Sequence, residues 1–237
     1  MQSARLKWFS ALLIVIVLQL LPPAALAQYR SGRAPDFVAV SSSTSVVLMP
    51  TDVELFTMTA RGGLELRADW TETATGYFHD ALLSYATARG LKFFELAESD
   101  RNALIEIEHL HRAFAAAISL HYLRGDLQLP AKQDRFDWSM GDAVSDLHQR
   151  TGAKYALFMY VRDSYASGGR IAMAIAMAFV GVVAYGGQQD IYATLVDLES
   201  GQIVWMNRVV RGHGDLRTEA GAKEALPLVL DFLPVVR

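Results

Sequence analysis

The sequence predicts an α/β fold in the α+β sense: a mixed β-sheet with helices packed on it, closed by a C-terminal antiparallel hairpin and a following helix. Three observations predict it. Strand-like and helix-like stretches alternate from residue 45 onward. Residues 155–161, YALFMYV, are apolar throughout, as a strand covered on both faces must be. Residues 191–210 read as two strands around Asp197 and Gly201, and strands joined that closely run antiparallel.

Taken in order, the chain opens on the basic stretch MQSARLK, the apolar WFSALLIVIVLQLL and PPAALA, which ends small-x-small. This predicts a secretory signal peptide cleaved after Ala27. The apolar run is shorter than the roughly 20 residues of a membrane span, and Pro22 and Pro23 break it. Cleavage removes Arg5 and Lys7 and leaves 20 Lys+Arg against 25 Asp+Glu, a net charge of −5. That balance gives no electrostatic reason to bind nucleic acid or anionic lipid. The chain has no Cys, which excludes disulfides, thiol catalysis and a lipid-modified cysteine anchor. Export without disulfides predicts the periplasm.

Residues 28–44 read as a flexible leader and 45–237 as a single α/β domain. SVVLM before Pro50 predicts a first strand; VELFTMT and LELR, around a turn at Arg61, Gly62 and Gly63, predict a β-excursion from its end. Asp69 and Glu72 have the spacing of a capping box. Ala74, Phe78, Ala81, Leu82 and Tyr85 then recur at helical spacing until Gly90. A strand over 91–96 follows. A long helix from Ser99 or Asp100 to about Leu123 carries the stripe Leu104, Ile107, Phe114 and Ile118, with His111 and His121 near it, and Gly125 ends it. Residues 126–138 are a linker, and a short helix starts at Asp137 or Ser139 and stops at Gly152. Residues 171–185, IAMAIAMAFVGVVAY, alternate small and large apolar residues at a strand period. Ala and Met are strong helix formers and glycines bound the run, so we read it as a helix. In the hairpin, Asp197 is placed to accept backbone N–H groups, Gly201 to take positive φ, and Trp205 to brace the second strand. Asp215 or Thr218 caps a final helix over 219–232.

GAKYALFMYVRD at 152–163 and IYATLVDLESGQIVWMN at 191–207, in an exported chain with an early VVLMP strand, resemble bacterial cell-envelope domains. These are the N-terminal domain of the TolB translocation protein and the periplasmic domain of the curli-secretion lipoprotein family. The likeness covers 45–235 in topology and those two segments in motif. The lipidated members carry a Cys after the signal peptide; this chain has Gln28, so a lipid tether is not implied. DVELFTMTARGG and ADWTE, at 52–63 and 68–72, and RDSYAS at 162–167 are similar to segments of uncharacterised exported proteobacterial proteins, a likeness that implies no activity.

The candidate chemistry is sparse. Glu106 with His109, and Glu108 with His111, are each three apart, but the two pairs point to opposite sides of a helix. No HExxH spacing exists, and a zinc site would have to recruit His79, His121 or His148. A metal-dependent hydrolase around His109 and His111 is therefore the least favoured reading; the preferred one pairs Glu108 with Arg112 and sets His111 at the core edge. Ser164 and Ser167 lack the elbow of a catalytic serine. Gly168 and Gly169 open a helix whose amides suit an anion, but they match no nucleotide-binding pattern, and no cofactor or metal is expected.

Asp52, Glu54, Arg61, Arg162, Asp163, Ser164 and Tyr165 form a candidate ligand or partner rim at one end of the sheet. The competing reading is a structural network of salt bridges and loop caps. Residues 171–185 as a helix would be about 22 Å long, short of a hydrocarbon core of roughly 30 Å. The preferred reading packs that helix over the sheet or against a second copy; the alternative is membrane contact. Together these predict a non-catalytic periplasmic cell-envelope binding or scaffolding protein whose partners are other envelope proteins or its own copies, and not nucleic acid. The alternative is an oligomeric, membrane-associated assembly or secretion component using 171–185.

Overall fold

The computed structural model describes residues 28–101, 104–124, 127–179 and 186–236. The predicted signal peptide, the helix-ending Gly125 and residues 180–185 of the apolar run lie outside the described residues.

The sheet is built along β8, Tyr155–Ala166. On one side it pairs antiparallel along its length with β9, Gln189–Asp197, which pairs antiparallel with β10, Gln202–Arg211. On its other side two strands share the edge. β3, Ser45–Leu48, runs parallel to the first residues of β8, and β4, Asp52–Met58, runs parallel to the rest. Pro50 falls between them, where a residue without an N–H interrupts the ladder. β5, Leu64–Leu66, folds back antiparallel on β4, and β6, Lys92–Glu95, extends the sheet parallel to β3. The sheet is therefore mixed with helices packed on it, as the sequence predicts, and the helices cover both sides.

One face carries α1, Ala68–Arg89, and the C-terminal helix, Glu219–Leu230. Phe78, Leu82, Ala222 and Leu226 are buried there; α1 packs against β4, β6 and the C-terminal helix, which itself packs on β9 and β10. The second face carries a helix over Ile105–Ile118, whose His111 ring stacks on Phe158 of β8 at 4.0 Å. The hairpin turn is held by Asp197, whose Oδ1 accepts from the backbone N–H of Glu199 and Ser200 at 3.1 and 3.0 Å. Gly201 has φ 70°, and any Cβ there would collide with the Gly141 carbonyl. Trp205 is 2% exposed at the centre of the core.

Several expectations change. Residues 28–44 are not a loose leader: Gln28–Arg33 is an edge strand, β1, paired antiparallel with β10, and Val40–Ser41, β2, pairs with Val235–Val236. QYRSGR has no apolar alternation because it gains ladder hydrogen bonds rather than core contacts. The capping box does not form. α1 starts at Ala68, with Arg67 in the cap position and no side-chain cap bond, and Asp69 pairs with Arg67 at 2.8 Å. The long helix from Ser99 is broken into a turn at Glu98–Arg101, the helix Ile105–Ile118 and a π-helical turn, Ser119–Leu123. Trp138–Ser139 is a short strand, β7, beside β10, and the helix ended by Gly152 runs over Ser145–Thr151. In chain order the helices are α1, α2 (Glu98–Arg101), α3 (Ile105–Ile118), α4 (Ser145–Thr151), α5 (Gly168–Ala178) and α6 (Glu219–Leu230).

The described part of the apolar run forms a helix, α5, but not a covering one: none of the helix's residues is buried. Ile171, Met173, Ile175 and Met177 are 51, 43, 58 and 38% exposed.

Candidate functional site

The predicted rim residues converge on one end of the sheet, but the pleat of β8 divides them. Side chains alternate faces along a strand, so Arg162 and Ser164 turn to the α3 face while Asp163 and Tyr165 turn to the α1/α6 face. Arg61 joins neither group; it is the exposed residue before Gly62 in the β4–β5 turn.

On the α3 face, Arg162 bridges Asp52 and Glu54 at 2.7 and 2.9 Å, and its guanidinium lies 4.0 Å over the ring of Tyr160. Arg112 pairs with Asp52 at 2.7 Å, rather than with Glu108 four residues before it. Tyr160 stacks on Tyr192 at 4.4 Å, and Arg208 is held in a two-bond pair with Asp190, at 2.8 and 2.5 Å. Burial pushes both tyrosine hydroxyls upward in pKa, and the Asp190 bond does the same for Arg208. A cavity of about 540 Å³ separates these residues from Ala116, Ser119 and Leu120. It adjoins a cleft of about 360 Å³ lined by Gln28, Arg30, Arg124, Gln188, Arg208 and Val210.

On the other face, Asp163 is 4% exposed and accepts from Tyr165 Oη at 2.6 Å, Gln189 Nε2 at 2.9 Å and the Ser164 N–H at 2.8 Å. Gln189 accepts in turn from Arg211 Nε at 2.6 Å, and Arg211 pairs with Glu224 of α6 at 2.6 Å. Burial outweighs these donors and raises the Asp163 pKa. Tyr165 Oη also accepts from the Leu216 N–H at 2.7 Å, so this network bolts the ends of three strands to α6 and its leading loop.

The histidines do not converge. His111 is buried, its Nε2 has no hydrogen-bond partner, and desolvation lowers its pKa to about 3. His109 is exposed. His79 bonds Asp80 and Glu95, His121 the Leu127 carbonyl and His148 the Ala153 carbonyl. Among the described residues no group of three His, Asp or Glu is arranged to hold a metal ion.

α5 leaves the sheet between these two faces. Ser167 caps it, accepting from the Arg170 N–H at 3.2 Å, and the Ser167 N–H donates to the Met58 carbonyl. The chain returns at Gly186, whose carbonyl accepts from the Ala166 N–H at 2.8 Å, and Gln188 exchanges bonds with Ser164. After Arg170 the helix has no polar side chain, and Phe179 beyond it is 85% exposed. Its first residues lie against the β4–β5 turn, with Gly169 beside Ala60 and Arg170 beside Gly62, and Tyr165 precedes its cap by two residues. Trp70 and Tyr165 meet edge-on at 5.6 Å, and Arg217 lies 4.0 Å over Tyr165. Arg170 Nε is buried without a hydrogen-bond partner. Leu64 and Leu66 of β5, 56 and 55% exposed, add an apolar strip beside the turn that abuts this base.

Sequence reasoning missed the arginine cleft, because nothing in QYRSGR announces that it pairs with β10 and sets Arg30 opposite Arg208. The tyrosine stack was readable in principle, since Tyr160 and Tyr192 each occupy the α3-facing register of their strands.

No family model matches the chain, and no curated protein does. Among solved structures it is similar to two of the PelC dodecamer from Paraburkholderia phytofirmans. The first has 13% identity and TM-score 0.45 over 90% of this chain and 100% of that chain. The second, a leucine-to-methionine variant, has 14% identity and TM-score 0.43 over 88% and 99%. At these values the likeness carries no argument about what the chain does.

Proposed function

We propose that the chain is a non-catalytic, exported binding or scaffolding component of the cell envelope that seats itself on a bilayer through α5. The observation that carries this reading is an eleven-residue helix with no buried residue and no polar side chain after its first turn. A helix apolar on every side is stable only when its surroundings are apolar on every side. A second copy would cover one flank; acyl chains surround it. At 1.5 Å per residue α5 is about 16 Å long, the depth of one leaflet of a roughly 30 Å core. No helix among the described residues is long and apolar enough to cross a membrane. The residues before α5 and those from Gly186 onward are fastened to each other at the same end of the sheet.

The base of the helix suits the interface between lipid and water. Trp and Tyr favour that level, and arginines reach phosphate groups there. Export supports the same reading. Gln28, which follows the predicted signal peptide, pairs with Val210 at the end of the sheet from which α5 emerges.

Flotation of the purified chain with phospholipid vesicles tests this. The wild type is expected to float and Ile175→Asp to remain in solution with an unchanged melting temperature. A wild-type chain that stays with the soluble fraction, or an Ile175→Asp chain that floats equally well, overturns the reading. A concentration-dependent rise in mass without vesicle binding assigns α5 to self-association instead.

A further inference from the structure

We propose that the cleft between β1, β10 and the turn after α3 binds the phosphate headgroup of an anionic phospholipid. Arg30 and Arg208 are directly opposite in the β1–β10 ladder, and Arg124 lines the same cleft of about 360 Å³. Like charges directly opposite across a ladder are destabilising. The fold nonetheless fixes both guanidinium groups. Arg208 spends Nε and Nη2 on Asp190, which sets its plane and leaves Nη1. Arg30 spends Nη1 on the Leu123 carbonyl at 2.5 Å and meets no carboxylate among the described residues, which leaves Nε and Nη2. Two oriented guanidinium groups with N–H bonds to spare match the paired oxygens of a phosphate. Gln28 and Gln188 also line the cleft.

The lipid source follows from position, and this step rests on the bilayer-docking reading of α5. Gln188 lines the cleft and is also the residue hydrogen-bonded to Ser164 where the excursion returns to the sheet. A bilayer receiving α5 brings its headgroups to that level. The cleft is larger than a bare phosphate needs. It shares Arg124 and Arg208 with the 540 Å³ cavity, where Ala116 and Leu120 offer apolar wall to a glycerol backbone. Glu54 and Asp190 line that cavity, and both are already bound to arginine, Glu54 to Arg162 and Asp190 to Arg208. The net charge of −5 expected for the exported chain does not decide the matter. Exposed charges farther away than a Debye length of about 10 Å are largely screened.

Titration calorimetry with water-soluble, short-chain lipids below their micelle concentration separates the cleft from the helix. Dihexanoylphosphatidylglycerol is expected to bind saturably to the wild type and equally to Ile175→Asp. Arg30→Gln, an exposed change on an edge strand, should weaken it at least ten-fold without altering the melting temperature. Dihexanoylphosphatidylcholine and inorganic phosphate should bind at least ten-fold more weakly than the anionic lipid. No saturable binding, equal binding of phosphatidylcholine, equal binding to Arg30→Gln, or inorganic phosphate binding as tightly as the lipid each overturns the proposal. Retained lipid titration in a chain that fails to float with vesicles overturns bilayer docking and leaves the cleft standing. Flotation without lipid titration does the reverse.

Discussion

β9 and α5 are neighbours in the chain and equally apolar, yet they meet opposite fates. Residues 191–196, IYATLV, are all buried; residues 171–179, IAMAIAMAF, include none that is. β9 lies between β8 and β10, hydrogen-bonded on both edges, with α3 over one face of the sheet and α1 and α6 over the other. The chain leaves that frame after Ala166, before α5, and is back in it at Gly186. Apolar composition says that a surface must be covered; only position says by what. Among the described residues β9 finds its cover, and α5 does not.

The comparison breaks most visibly at the hairpin centre. Trp205 is 2% exposed, so Trp205→Ala removes a large side chain from a site with no room to collapse. A loss of about 3–5 kcal/mol in denaturant unfolding is expected, enough to unfold a marginal domain. A loss below about 1 kcal/mol would mean that the hairpin is not the centre of the core.

Legibility in the sequence follows the same division. The hairpin, the apolar β8 and the glycine-stopped α1 were readable because local turn chemistry and burial agree there. Asp197 and Gly201 do what their residue types favour in a tight turn. β1 was not readable, because its stability comes from the open edge of β10 rather than from its own pattern. The rim was half readable. Asp52, Glu54 and Arg162 meet as ion pairs, whereas Asp163 and Tyr165 face away from them. Strand parity decides that, and parity follows from the residue at which the strand register is set. The exposure of α5 was not readable at all, since its composition also suits a buried helix.

An acid titration sharpens the contrast from inside the core. His111 has a folded-state pKa of about 3 against an ordinary value near 6.5, because desolvation, and then the charge of Arg112, penalise the imidazolium. The unfolded state takes up the proton first. The stability this group contributes is full above pH 6.5 and is lost as pH falls toward 3, by about 2 kcal/mol at pH 5. His111→Leu should remove that part of the difference between unfolding at pH 7 and pH 5. His79 has the opposite sign: its pKa is raised by Asp80 and then Glu95, so its small contribution is present below pH 6.5 and fades above it. An unchanged acid slope in His111→Leu would show that the ring is solvated.

The smallest expected effect bears most directly on α5. Ile175→Ala removes the same atoms that would cost about 2–5 kcal/mol at a buried isoleucine such as Ile191. At a position 58% exposed the cost in the free chain should stay within about 0.5 kcal/mol. With vesicles present, the wild type should gain stability by binding linkage, and Ile175→Ala should gain less, because part of the surface that binding covers is gone. If Ile175→Ala costs as much as a core truncation in the free chain, α5 is covered before any membrane arrives. Dilution then identifies the cover. A cost that disappears at low protein concentration belongs to a contact between copies, and one that does not belongs to the chain's own fold.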